Sequence, residues 1–181
     1  MKQVGVRGGN DVKRASLFVL ILVLCVTLFG CINEERPQQS SDSIVYRNTE
    51  YGFSFSLPES WQDYTIITEE WEGFALDGLQ GDEIVETGPL ILLRHPQWTS
   101  EEPRQDIPIM VFTLNQWNSL QQEKFHIGAA PIGPKELDRN EQYIFALPAR
   151  YNYAFPTGYE EVESILEGNP LRVNGTKSLK Q

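Results

Sequence analysis

An uncharged apolar run from Ala15 to Phe29, broken only by Ser16 and Thr27, splits this chain into a short leader and a body that must fold without it. Lys2, Arg7, Lys13 and Arg14 precede the run, against one acid, Asp11. A basic flank stays on the cytoplasmic side of a membrane. The run is shorter than the ~20 residues a spanning helix needs. A basic flank, a short apolar core and a small residue before a cleavage point describe a secretory signal. Cys25 and Cys31 are the chain's two cysteines, and both lie within or at the end of this segment. The body after Cys31 therefore has no internal disulfide and must be held by its hydrophobic core.

Leu28-Phe29-Gly30-Cys31 resembles a lipobox, with Leu28, Gly30 and Cys31 at the expected positions and Phe29 bulkier than the pattern prefers. This resemblance implies cleavage before Cys31, acylation of its thiol (palmitate being a typical chain) and a protein anchored on the outer face of the cytoplasmic membrane. The domain reading is a signal peptide over 1–30, a polar tether over 31–43, a folded domain over 44–173 and a frayed tail over 174–181. The tether, from Ile32 to Ser43, has almost nothing to bury, which suits a flexible spacer.

Maturation would lower the basic residues from 15 to 11 and the acids from 25 to 24, moving the net charge from −10 to −13. Such a body is repelled by nucleic acid and by anionic lipid heads. The partners expected are the membrane, through lipid on Cys31, and an envelope protein or small ligand, with no nucleic acid.

The body is patterned mainly as strands. Phe53, Phe55 and Leu57 alternate with Ser54 and Ser56, the period of a half-buried strand, and Pro58 ends it. Ile44–Tyr46, Tyr64–Thr68, Ile107–Thr113 and Glu141–Leu147 read as further strands, with Asn48–Glu50 as a turn. The unbroken run Leu90–Leu93 suggests a strand covered on both faces. Residues 69–88 read as an acidic, glycine-rich stretch holding isolated anchors, and Arg150–Phe155 as strand or extended loop. Leu114, Trp117 and Leu120 shift to helical spacing, predicting a helix over about 115–125 that ends near His126. A final helix is predicted from Thr157-Gly158-Tyr159-Glu160, which has capping-box spacing, with Gly168 as its left-handed stop and Pro170 barring continuation. Strand runs segregated from helices point to α+β, with an antiparallel β-sheet covered by helices.

Tyr51-Gly52-Phe53-Ser54-Phe55-Ser56-Leu57-Pro58, followed by Trp61, resembles the opening hairpin of the Mog1/PsbP-like family. The match covers residues 46–61. It implies an α/β/α sandwich and an accessory or binding role. The chain is also similar overall to lipoproteins of Gram-positive bacteria.

Catalytic chemistry is sparse. The chain has two histidines, His95 and His126, and neither a His-x-x-x-His nor a Cys-x-x-Cys motif. Structural zinc needs four such ligands held together. No Gly-x-Ser-x-Gly nucleophile turn occurs, and no phosphate-cradling glycine loop lies outside the leader. The candidate ligand or metal site is Arg94, His95, Trp98 and Asp106, with Glu101 and Glu102 between. Trp98 in a charged loop is the aromatic least explained by packing, and the late aromatics Tyr143, Phe145, Tyr151, Tyr153 and Phe155 around Arg150 suggest either core or a groove for a peptide, glycan or small ligand. The expectation is a non-enzymatic module with no cofactor; the alternative is an extracytoplasmic hydrolase or metal-dependent enzyme using His95 and nearby acids.

Overall fold

A computed structural model describes residues 43–76, 83–128 and 132–173. Cys31, the leader, the tether before Ser43 and the tail over 174–181 lie outside the described residues. Strands β1 (Ile44–Asn48) and β2 (Phe53–Leu57) come first, then a 3-10 turn, Glu59–Trp61. They are followed by β3 (Thr65–Phe74), β4 (Ile84–Arg94), β5 (Ile107–Thr113), helix α1 (Leu114–Gln121) and β6 (His126–Ile127). The chain closes with β7 (Lys135–Arg139), β8 (Tyr143–Leu147), helix α2 (Tyr159–Glu167) and β9 (Leu171–Val173).

Two sheets form. One has the order β1-β2-β9, the other β6-β3-β4-β5-β8-β7, and every neighbouring pair is antiparallel. The six-stranded sheet is curled. Its central strand, β5, sends Ile107, Ile109 and Val111 into one core and Met110 and Phe112 into another. In the first core these residues meet Phe53, Phe55, Leu57 and Leu171 of the small sheet, with Trp61 and Val162. In the second, Phe112 meets Trp71, Phe125 and the buried side of α1, Trp117 and Leu120.

The α/β/α sandwich, and with it an α+β domain whose antiparallel sheet is covered by helices, is not what forms. Strands dominate, and the two helices are too short to supply layers. One face of the large sheet is covered mainly by a second sheet. The misreading has a local cause: within the acidic, glycine-rich stretch, residues 69–74 and 84–88 are paired arms of β3 and β4. Their glycines make room for aromatic rings. A Cβ on Gly73 would stand 2.5 Å from the Phe125 ring, and one on Gly88 would stand 2.6 Å from the Trp71 ring.

Both helix predictions need correction at their ends. Helix α1 stops at Gln121, so Phe125 is free to fold back onto Gly73 and His126 enters strand β6. It is α1 that carries a capping box: Thr113 Oγ1 accepts from the Gln116 N–H at 3.2 Å, and Gln116 Oε1 accepts from the Thr113 N–H at 3.0 Å. Helix α2 is capped by Gly158 in the left-handed region, with no side-chain cap from Thr157. Gly168 stays helical, and Asn169 takes the left-handed turn instead (φ 49°).

Candidate functional site

Strand alternation decides how the sequence candidates divide. Successive side chains on a strand point to opposite faces. Arg94 closes β4 and His95 follows it, so the two diverge. Arg94 forks onto Asp106: its Nε donates to both carboxylate oxygens at 3.1 and 3.2 Å, and its Nη2 donates to Oδ2 at 2.7 Å. Its Cζ sits 4.0 Å over the Trp98 ring. The Asp106 carboxylate raises the Arg94 pKa above its ordinary value. Arg94, Trp98 and Asp106 thus converge, as a cation held between a carboxylate and an indole face.

His95 is elsewhere. It is buried with its ring edge-on to Trp61, centroids 5.0 Å apart. Its Nδ1 accepts from the Gln97 N–H at 3.1 Å, which assigns the neutral ring's proton to Nε2. Nε2 faces Glu161 Oε2 at 4.0 Å. Burial lowers the His95 pKa and Arg104 lowers it further, against an opposing pull from Glu161. Glu101 and Glu102 are exposed. Among the described residues no three or more His, Cys, Asp or Glu side chains gather as metal ligands would.

Glu161 is the residue that the sequence did not single out. Ser60 donates to its Oε1 at 2.6 Å, and Arg104 Nη2 approaches its Oε2 at 3.7 Å. One carboxylate in the first turn of α2 therefore draws together the 3-10 turn, the end of β4 and the β4–β5 loop. The backbone reinforces this union, because the Gln105 N–H donates to the Thr157 carbonyl at 2.8 Å. Gly158 matters here for a second reason, since a Cβ on it would meet Arg104 Nη2 at 3.2 Å. The only local hint of Glu161 was an acid where the helix dipole favours one. Its contact with Ser60 spans 101 positions, beyond any pattern read along the chain.

Two recesses flank this cluster. Glu161 lines one of 500 Å³, floored by Leu57, Pro58, Ile165 and Pro170. Arg104 lines the other, of 730 Å³, with Gln97, Glu102, Pro103, Phe155 and Thr157. The buried Nε of Arg104 has no hydrogen-bond partner among the described residues. The wall at Phe155 is a turn, not the extended segment expected over Arg150–Phe155. Arg150, Ala154 and Phe155 all have positive φ, a strained state for such residues. The turn divides the late aromatics: Tyr151 packs against the first core, while Tyr153 and Phe155 are 77% and 69% exposed.

Comparison with protein-family models, curated proteins and solved structures found no match.

Proposed function

We propose that this chain is a lipid-anchored, extracytoplasmic binding module without catalytic activity, moored through Cys31. The lipobox at Leu28–Cys31 supports the anchor. A diacylglyceryl group with an added amide-linked chain would meet the two-chain requirement for stable attachment. The observation that carries the binding role is the 730 Å³ recess, where exposed Phe155 stands beside Gln97, Glu102 and the Arg104 side chain. The recess is of ligand size. An aromatic face beside carboxylate, amide and guanidinium groups suits a small polar ligand with one apolar side, as a glycan has.

The nearby reactive side chains are engaged with one another. Arg94 is taken by Asp106, and His95 meets Gln97, Glu161 and Trp61 rather than the acids of the loop. That arrangement favours binding over hydrolysis.

Two measurements test the proposal. The mass of the protein isolated from its native membrane is expected to show loss of residues 1–30 and acyl groups on Cys31; a retained Met1 or a free thiol would refute the anchor. A panel of soluble saccharides is expected to yield a ligand whose binding Phe155→Ala weakens by about tenfold, the equivalent of ~1.4 kcal/mol. Binding that is indifferent to Phe155, or none across the panel, would refute the recess as the site.

A further inference from the structure

Strand β3 is ten residues long and pairs with β4 over its whole length. On its other side it meets β6 only at Gly73 and Phe74. Among the described residues, no strand pairs with Thr65–Glu72 on that side. This leaves about 26 Å of open ladder, at ~3.3 Å per residue. Natural sheets shorten, bend or cover such an edge, because unpaired N–H and C=O groups recruit other strands.

The side chains along the edge restrict what it can recruit. Trp71 belongs to the second core, so alternation assigns Thr65, Ile67 and Glu69 to its face. Ile66, Thr68, Glu70 and Glu72 share the opposite face, and all four are exposed. The residues across from Glu69, Glu70 and Glu72 on β4 are Leu90, Pro89 and Thr87, none of them basic. None of the three acids takes part in an ion pair among the described residues. A second copy pairing through β3 would bring two acidic triplets onto one ladder, and like charges on neighbouring strands repel.

We infer that the open edge of β3 docks an extended, basic segment of a partner protein, which adds a seventh strand to the large sheet. In an antiparallel arrangement the added strand sets Lys or Arg against Glu72 and Glu70, then Thr or an apolar residue against Thr68 and Ile66. Main-chain hydrogen bonds supply affinity, and the charge pattern supplies selectivity. This edge is separate from the recess, and the inference does not depend on processing at Cys31.

The probe is a blocked peptide of sequence Lys-Thr-Lys-Thr-Thr-Thr-Val, added to the full-length chain in detergent micelles. Hydrogen exchange followed by mass spectrometry is expected to show slowed exchange confined to the segment containing Thr65–Glu72. The same peptide with Glu in place of both Lys is expected to give no protection. Reversing charge with Glu70→Lys and Glu72→Lys should weaken binding of the basic peptide by at least about tenfold, with circular dichroism confirming that the strands persist. No protection, protection located elsewhere, equal protection by the acidic peptide, or self-association through β3 without peptide would each overturn the inference. Should the double variant fail to fold, the pair of peptides on the unaltered chain still decides the matter.

Discussion

The indole of Trp71 on β3 lies over Gly88, its direct partner on β4, and reaches across to donate from Nε1 to the Val111 carbonyl at 2.9 Å. The β4–β5 register, continued by one residue, sets Val111 opposite Pro89, which has no N–H to offer. The indole supplies the donor that the strand lacks. The same ring stacks on Phe112, with centroids 4.4 Å apart, and lies nearly parallel to Phe125. The second core is thus built around one side chain that needs a bare backbone beneath it.

Gly88→Ala should therefore destabilise the fold by about 1–3 kcal/mol, the usual cost of overpacking. Gly133→Ala is the matching control, because a Cβ there meets nothing within 4 Å. Its effect should stay within about 0.5 kcal/mol. Urea denaturation followed by tryptophan fluorescence compares the two.

Trp71→Phe keeps an aromatic ring but removes the donor to Val111. A buried carbonyl left without its partner costs about 1–3 kcal/mol, beyond the loss of ring area. The midpoint of urea unfolding should fall, and the Val111 segment should exchange its hydrogens faster. An unchanged midpoint would show that the Nε1 contact is energetically idle.

His95 gives a pH dependence of defined sign. Its pKa is lowered in the folded state, so the unfolded chain binds the proton more readily, near the ordinary value of about 6.5. Stability is then complete above that pH and is lost as pH falls toward the folded-state pKa. The groups facing the ring are Arg104, which resists protonation, and Glu161, which favours it. Denaturation midpoints measured from pH 7 to 5.5 should decline, and His95→Gln should flatten the decline in that window.

The two helix starts should respond unequally to the same substitution. Thr113→Ala breaks a formed capping box and should cost about 1 kcal/mol. Thr157→Ala removes a hydroxyl that caps nothing and should be close to neutral, although Thr157 has the motif spacing. Thermal unfolding of both variants checks the contrast.

That contrast shows why motif spacing was a poor guide to the helix ends. Thr157 and Glu160 stand at the right interval, but the parallel bridge between Arg104 and Thr157 commits the backbone there to the β4–β5 loop. The cap passes to Gly158, whose positive φ suits a residue without a side chain. The candidate site divided for a similar reason. Arg94, Trp98 and Asp106 lie close in the chain and met as a group. His95, adjacent to Arg94, was turned to the other face by the strand period and met Ser60's partner Glu161 instead.

By itself the sequence determined the period of β2, the strand over Ile107–Thr113 and the presence of two helices, because these depend on neighbours a few residues away. Only the tertiary structure decided that residues 69–74 and 84–88 of the acidic stretch pair as strands, that a second sheet rather than a helical layer covers the large one, and that Glu161 gathers Ser60, His95 and Arg104. Glycine and glutamate look like loop residues when read along the chain. Beneath the Trp71 ring, a missing Cβ is instead the condition for packing, and that condition is set by residues remote in sequence.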